Sequence, residues 1–146
     1  MFIRPAALED AAEIARLSSQ LGYPGTSQDI EERLGLLKNA NYATLVAASG
    51  SGLSGWIAAE KRITLESGIR YEIVGLVVDE AARRAGTGLA LVQAIRDWAG
   101  PQGADRLYVR SNIARQEAHA FYQALGFERR KTQHVYVLEL PILRSN

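Results

Sequence analysis

The residues with the clearest chemical potential form a short loop that carries two arginines and two glycines. Arg83, Arg84, Gly86 and Gly88 follow an apolar run of strand length at 71–79 and precede an amphipathic helix. A glycine-rich loop at a helix start exposes backbone N–H groups, and the helix dipole adds positive potential at the same place. The pattern therefore predicts that a phosphate-bearing ligand binds at this loop.

Two common nucleotide-binding motifs do not fit the loop. A P-loop requires a Gly-Lys pair, and the sequence contains none. A dinucleotide fingerprint needs a third glycine at position 91, where this chain has Leu91. The loop instead matches Arg-x-x-Gly-x-Gly through Arg83, Gly86 and Gly88, a pattern that is also typical of an ordinary tight turn.

The composition is that of a soluble globular protein. With 146 residues, 47% of them hydrophobic, the chain is long enough for a single domain, 1–146, around one core. The net charge of +1 gives no field that would draw the whole protein to nucleic acid or to a membrane. The absence of cysteine excludes disulfides, thiolate metal sites and a cysteine nucleophile. We expect a cytoplasmic protein that binds no metal, nucleic acid or membrane.

Hydrophobic periodicity predicts an α/β (α+β) chain in which a sheet is flanked by helices, in the order β-α-α-β-β-β-α-β-α-β-β. The predicted strands are 1–5, 42–48, 53–63, 70–78, 106–110, 127–130 and 134–140, and the predicted helices are 8–21, 26–37, 86–99 and 111–125. The fourth strand is apolar without alternation, which indicates burial on both faces. The phosphate loop therefore follows a central strand.

A second motif lies downstream of the loop. It comprises Ser111-Asn112, Arg115, Ala118-His119, Phe121-Tyr122 and Leu125-Gly126-Phe127. On this order of elements, the two motifs together resemble the GNAT superfamily of acetyl-CoA-dependent N-acetyltransferases, and the resemblance covers essentially the whole chain. It implies the GNAT fold, with a mixed and mostly antiparallel sheet, and acetyl-CoA as the acetyl donor.

The resemblance implies that the loop wraps the pyrophosphate of coenzyme A with backbone amides. The amides carried over are those of Arg84, Ala85, Gly86, Thr87, Gly88 and Leu89, with charge added by Arg83 or Arg84. The pantetheine arm would pair like an added strand with Leu76, Val77 and Val78. Such pairing needs a splay beside the strand, and Gly75 is compatible with a bulge there or with simple packing.

Tyr122 is the residue that the resemblance assigns as general acid for the departing thiolate. Asn112 would bond the pantetheine amides, cap the helix, or do both. Arg115 would reach the phosphates of the adenosine end, although a solvated arginine fits the pattern nearly as well. His119 shares a helix face with Tyr122 but stays outside the predicted catalytic set.

The general base is assigned to Glu72, because some superfamily members carry a base glutamate at the corresponding position. By strand alternation Glu72 would share a face with the apolar residues at 74, 76 and 78. Glu60, Asp79 and a water chain are alternatives. Since the chain has no cysteine, we expect direct attack of the amine on acetyl-CoA in a ternary complex. A backbone N–H near Val77 or Val78 would serve as oxyanion donor.

The resemblance places acceptor specificity at 21–30 and 129–136, and the second motif is similar to that of small bacterial members described as aminoglycoside 6′-acetyltransferase-like. Acidic residues are sparse in these segments, which disfavours a polycationic aminoglycoside or polyamine and leaves a small primary amine, an amino acid or a peptide N-terminus. A non-catalytic regulatory module that binds coenzyme A is the alternative function. We also expect a homodimer.

Overall fold

A computed structural model of the protein describes residues 1–111 and 116–142. Their contacts divide the chain into two compact units, Met1–Arg110 and Ser111–Asn146. The first unit contains the whole sheet, and the second contains the last helix.

The element order agrees with the sequence prediction up to that helix. The elements are β1 Phe2–Pro5, α1 Ala11–Ser19, α2 Ser27–Leu36, β2 Tyr42–Ser49, β3 Gly52–Thr64, β4 Gly68–Val78, α3 Thr87–Ala99, β5 Tyr108–Val109 and α4 Gln116–Ala124. The five strands lie in the order β1-β2-β3-β4-β5. All neighbours are antiparallel except β4 and β5, which are parallel. The predicted fold class, a mixed and mostly antiparallel sheet with flanking helices, is therefore confirmed.

The helices cover both faces of the sheet. Ile14 and Leu17 of α1 and Leu34 of α2 form one core with Val46, Leu53 and Val77 of the strands. On the other face, Trp98 of α3 packs edge-on against Tyr71 with ring centroids 5.7 Å apart. Burial between these two layers explains why β4 lacks the alternation of an exposed strand.

Polar side chains near the starts of α1 and α2 form the hydrogen bonds that their residue types predict. The sequence Thr26-Ser27-Gln28-Asp29 before α2 predicts a capping box. The Asp29 N–H donates to Thr26 Oγ1 and the Thr26 N–H donates to Asp29 Oδ2, both at 3.1 Å, which confirms it. Ahead of α1, the buried Asp10 carboxylate accepts hydrogen bonds from both terminal nitrogens of Arg4 at 2.7 and 2.8 Å. These contacts fix where the chain enters each helix.

The two final strands predicted at 127–130 and 134–140 are not formed. Residues 127–142 have no regular secondary structure, and Val135, Tyr136, Val137 and Leu138 are each at least 80% exposed. A strand needs a neighbouring backbone to satisfy its hydrogen bonds, and the only element described in this unit is a helix. An apolar, strand-like sequence pattern therefore forms a strand only where a neighbouring strand is available to pair with it.

Two features of the described parts of the chain bear on broad function. No helix there is long and apolar enough to cross a membrane. No group of three histidine, aspartate or glutamate side chains in those parts is arranged to hold a metal ion.

Candidate functional site

A β-bulge interrupts β4 at Val74. Ala59 of β3 lies opposite Ile73, whereas the next β3 residue, Ala58, lies opposite Gly75, so Val74 is the extra residue. This confirms the predicted bulge beside Gly75. Packing also restricts this position to glycine, because a Cβ on Gly75 would lie 2.7 Å from the ring of Trp56. Both readings of Gly75 from the sequence therefore hold.

The pairing of β4 with β5 stops at the same point. The two parallel strands pair only at Glu72 with Tyr108 and at Ile73 with Val109. Beyond the bulge β4 continues to Val78, and its other edge still pairs with β3. Among the described residues no strand occupies the β5 side of this stretch. An extended ligand could therefore add to the free edge through backbone hydrogen bonds.

The loop after β4 has an unusual backbone. Arg84 has φ 68° and is the only non-glycine residue with positive φ in the described part of the chain, and Gly86 follows with φ 83°. A left-handed arginine is strained, and such strain is concentrated at functional sites. Gly86 adopts its left-handed conformation without a steric cost, because it has no Cβ.

The loop ends in a group of outward-facing N–H donors. The first hydrogen bond of α3 runs from the Ala90 N–H to the Gly86 carbonyl at 3.0 Å. The N–H groups of Gly86, Thr87, Gly88 and Leu89 therefore have no carbonyl partner within the helix. Together with the left-handed positions before them, they form a concave set of donors suited to an anion.

Gly55 of β3 holds this donor set against the free edge of β4. A Cβ on Gly55 would lie 2.8 Å from the Val77 carbonyl oxygen and 3.3 Å from Thr87 Cγ2. Thr87 itself is buried at the start of α3. The close approach of β3, β4 and α3 therefore depends on glycine here. A glycine in mid-strand is the sequence signal for such an approach, and the sequence prediction missed it.

A polar network from α1 supports the first turn of the loop. Asp79 Oδ1 accepts from the Ala81 N–H at 3.1 Å and from Gln20 Nε2 at 3.3 Å, while Oδ2 accepts from Arg16 Nη2 at 3.2 Å. Gln20 Oε1 in turn accepts from the Glu80 N–H at 3.1 Å. The sequence prediction missed Arg16 and Gln20, because nothing in a single sequence links residues so far apart.

The same network affects the pKa of Asp79, which is one of the alternative candidates for the general base. The hydrogen bond from the Ala81 N–H, followed by those from Gln20 and Arg16, lowers the pKa of the Asp79 carboxyl. A carboxylate with a lowered pKa is a weak proton acceptor near neutral pH. The geometry therefore makes Asp79 a cap of the turn and argues against it as the base.

Glu72 lies between two arginines on β4. Its side chain is buried, with Arg110 Nε 3.1 Å from Oε1 and Arg62 Nη1 3.5 Å from Oε2. Glu60 of the neighbouring strand β3 lies directly opposite Glu72. Both oxygens of Glu72 are therefore engaged, whereas Glu60 forms no ion pair with any described residue.

The face predicted for Glu72 is wrong. Positions 72 and 75 lie opposite β3 residues 60 and 58, so Glu72 shares a face with Gly75 and Val77, on the side covered by α1 and α2. The residues at 76 and 78, which lie opposite Ile57 and Gly55, do not share it. The extra residue of the bulge shifts the alternation by one position, and simple period-two counting fails beyond it.

Tyr122 lies in α4, in the second unit. Its ring contacts those of Phe121 and Phe127 edge-on, at centroid distances of 5.3 and 5.6 Å. The Phe127 N–H donates to the Tyr122 carbonyl at 3.0 Å, which closes the helix end. Two further predicted cofactor residues, Asn112 and Arg115, lie outside the described residues.

Known proteins share both the sequence pattern and the fold. Residues 8–127 match the acetyltransferase (GNAT) family. The chain is 29% identical over 145 residues to aminoglycoside N(6′)-acetyltransferase type 1 of Stenotrophomonas maltophilia, covering 96% of this chain and 93% of that protein.

Two solved structures show the same fold. One is the aminoglycoside 6′-N-acetyltransferase AAC(6′)-IG of Acinetobacter haemolyticus, with a TM-score of 0.83 at 20% identity, covering 97% of this chain and 100% of that one. The other is AAC(6′)-Iy in complex with CoA, with a TM-score of 0.78 at 21% identity, covering 95% of this chain and 100% of that one.

Proposed function

The chain belongs to the GNAT acetyltransferase family and is an acetyl-CoA-dependent N-acetyltransferase, and we propose that its loop at 84–89 binds the pyrophosphate of acetyl-CoA. One observation carries the assignment. Two left-handed residues, Arg84 and Gly86, lie at the start of α3, where the N–H groups from Gly86 to Leu89 have no partner within the helix. Arg83 and Arg84 add positive charge beside these donors.

The pantetheine arm is proposed to lie along the free edge of β4. Its two amides would exchange hydrogen bonds with the backbone of Leu76, Val77 and Val78, beyond the point where β5 stops pairing. This directs the thioester towards the bulge at Val74. A backbone N–H near Val77 or Val78 is the proposed donor to the oxyanion.

Acetyl transfer is proposed to be direct. The amine nitrogen attacks the thioester carbonyl, the C–S bond breaks, and the phenol of Tyr122 donates its proton to the departing thiolate. The edge-on contacts with Phe121 and Phe127 support this role because they restrain the Tyr122 ring. From the family motif we also propose that Asn112 bonds the pantetheine and that Arg115 reaches the phosphates.

Two carboxylates are candidates for the base that removes the amine proton. Glu72 stays a prediction of the family resemblance, although its ion pairs with Arg62 and Arg110 would have to rearrange for it to accept a proton. Glu60 lies directly opposite Glu72 and forms no ion pair with a described residue. On this geometry Glu60 is the less encumbered acceptor.

The acceptor is proposed to be a primary amine of a small molecule or a peptide. The segment at 21–30 that would face it contains Asp29, whose carboxylate is already used in the capping box of α2. This leaves little negative charge to attract a polycation. The relative from Stenotrophomonas favours a second candidate, the 6′-amine of an aminoglycoside.

Thiol release from acetyl-CoA in the presence of a panel of amines tests the proposal. The panel includes amino acids, small monoamines, peptides with a free N-terminus and aminoglycosides. We expect release with at least one amine, and a large loss of activity in Tyr122→Phe. If acetyl-CoA binds, no amine releases thiol, and Tyr122→Phe changes nothing, the protein is a non-catalytic module. If ATP stabilises the protein and acetyl-CoA does not, the loop assignment fails.

A homodimer and a cytoplasmic location remain predictions. Sedimentation equilibrium of the purified protein measures the first, and fractionation of cells that express the untagged chain measures the second. A monomer across the accessible concentration range would contradict the dimer.

A further inference from the structure

A cavity lies at the opposite end of β4 from the pyrophosphate loop. Its volume is about 460 Å³. Residues 69–71 of β4 form one wall, residues 102–106 with Tyr108 form the other, and Lys61 and Ser67 complete it. Ligand sites in proteins commonly have volumes of about 300–1,000 Å³, so a small molecule fits.

The lining has an excess of positive charge. Lys61, Arg70 and Arg106 contribute three cations, and Asp105 is the only carboxylate among the lining residues. Within the ranges 1–111 and 116–142, none of the three cations forms an ion pair. An unneutralised cluster of this kind attracts an anion.

Arg70 is held in place without a counter-ion. Its guanidinium carbon lies 3.8 Å from the centroid of the Tyr108 ring, a stacking contact that orients the planar group. Its Nε is buried and has no hydrogen-bond partner among the described residues. A buried donor without an acceptor costs free energy, so the protein alone leaves the Arg70 guanidinium incompletely satisfied.

The neighbouring strand increases this cost. Arg62 of β3 lies directly opposite Arg70, and like charges at such positions destabilise a sheet. Glu72 pairs with Arg62 and with Arg110, so the nearby carboxylate is already engaged. Hydrogen bonds from Arg70 and Arg106 also lower the pKa of the Tyr108 phenol, which agrees with a positive local potential.

We propose that this cavity binds a small organic anion with a phosphate or carboxylate group, held by Arg70, Arg106 and Lys61. The site is distinct from the pyrophosphate loop. Arg70 and Val78 are separated along β4 by roughly 26 Å at about 3.3 Å per residue. The inference therefore stands whether or not the proposed cofactor site is correct.

Inorganic phosphate and citrate are the probes, used on the full chain saturated with coenzyme A so that the pyrophosphate loop is filled. The midpoint of thermal unfolding is measured against probe concentration, with sodium chloride of equal ionic strength as reference. We expect a saturable rise of several degrees with at least one probe. Which of the two binds more tightly separates a phosphate from a carboxylate ligand.

Two variants and a matched control make the test specific. The test variants are Arg106→Gln, at an exposed position, and Arg70→Gln, and each should weaken probe binding by at least tenfold. The control Lys38→Gln, on an exposed loop, also removes one positive charge and should leave binding unchanged. A rise no larger than that in chloride, or an equal rise in Arg106→Gln, would overturn the proposal.

Discussion

Arg16 of α1 donates from Nη2 to Oδ2 of Asp79, 3.2 Å away, and so ties a helix on one face of the sheet to the end of β4. Gln20, one turn later, bonds both Asp79 and the N–H of Glu80. The turn that leads into the proposed pyrophosphate loop is thus held from α1. The proposed acceptor segment follows α1 directly in the chain. The helix is therefore connected both to the proposed pyrophosphate loop and to the proposed acceptor segment.

Gln20→Ala should raise the KM for acetyl-CoA about three- to tenfold and leave kcat nearly unchanged, because two net hydrogen bonds of about 0.5–1.5 kcal/mol each are lost from the loop support. Steady-state kinetics measures this. Acetyl-pantetheine lacks the pyrophosphate, so its KM should not change in the variant. Gln93→Ala, at an exposed position two turns into α3, is the control. Equal losses with both thioesters would show general damage to the fold.

Gly86→Ala should weaken coenzyme A binding and lower the stability by about 1–2 kcal/mol, the usual cost of a left-handed non-glycine residue. Gly86 has φ +83°, and a Cβ added there would meet nothing within 4 Å, so backbone strain is the cause rather than a clash. Calorimetric titration and urea unfolding measure the two effects. Gly35→Ala, within α2 and equally uncrowded, should instead stabilise the protein by up to about 1 kcal/mol.

Tyr122→Phe should reduce kcat about 10²- to 10⁴-fold, the usual contribution of a positioned general acid, with little change in the affinity for acetyl-CoA. Tyr71→Phe serves as control, because that ring packs against Trp98 and has no part in the proposed reaction. An unchanged kcat in Tyr122→Phe would remove the tyrosine from the mechanism. The ring packing with Phe121 and Phe127 should survive the substitution.

The pH–rate profiles of Glu60→Gln and Glu72→Gln should identify the base. The residue that accepts the amine proton must be ionised, so the wild-type rate falls as the pH drops below its pKa. Removing that residue flattens this acidic limb and lowers kcat. We expect this result for Glu60→Gln. Glu72→Gln should chiefly cost stability, about 1–3 kcal/mol, because Arg62 and Arg110 lose their partner. The reverse pattern would restore Glu72 as the base.

Asp10→Asn should destabilise the protein by about 1–3 kcal/mol at neutral pH. The hydrogen bonds from Arg4 hold the pKa of Asp10 below its ordinary value, although burial opposes this. A group whose pKa is lowered on folding stabilises the protein above its unfolded pKa, and this stability is lost as the pH falls through the folded pKa. The difference between variant and wild type should therefore shrink below about pH 4.

Urea unfolding at several pH values measures the Asp10 effect, with Glu9→Gln as a neighbouring exposed control. A difference that stays constant down to roughly pH 2, well below the ordinary pKa of an aspartate, would show that the carboxylate charge is not its source.

Sequence alone determined the elements whose signals are local. The capping box at Thr26, the apolar run of β4 and the glycine-bearing start of α3 each depend on residues within a few positions of one another, and all three were confirmed. The two motifs also identified the family. Such features follow from backbone conformation and short-range hydrogen bonds, which do not require knowledge of distant neighbours.

Tertiary structure decided whatever depends on contacts between distant segments. The bulge at Val74 turned Leu76 and Val78 away from the face that carries Glu72, and Arg62 and Arg110 engage the Glu72 carboxylate. The strand-like pattern at 134–140 found no pairing edge in its own unit. Arg16 and Gln20 became supports of a loop some 60 residues away only because α1 packs beside the end of β4. Register and side-chain partners are properties of the folded chain, since each depends on which segments are brought together.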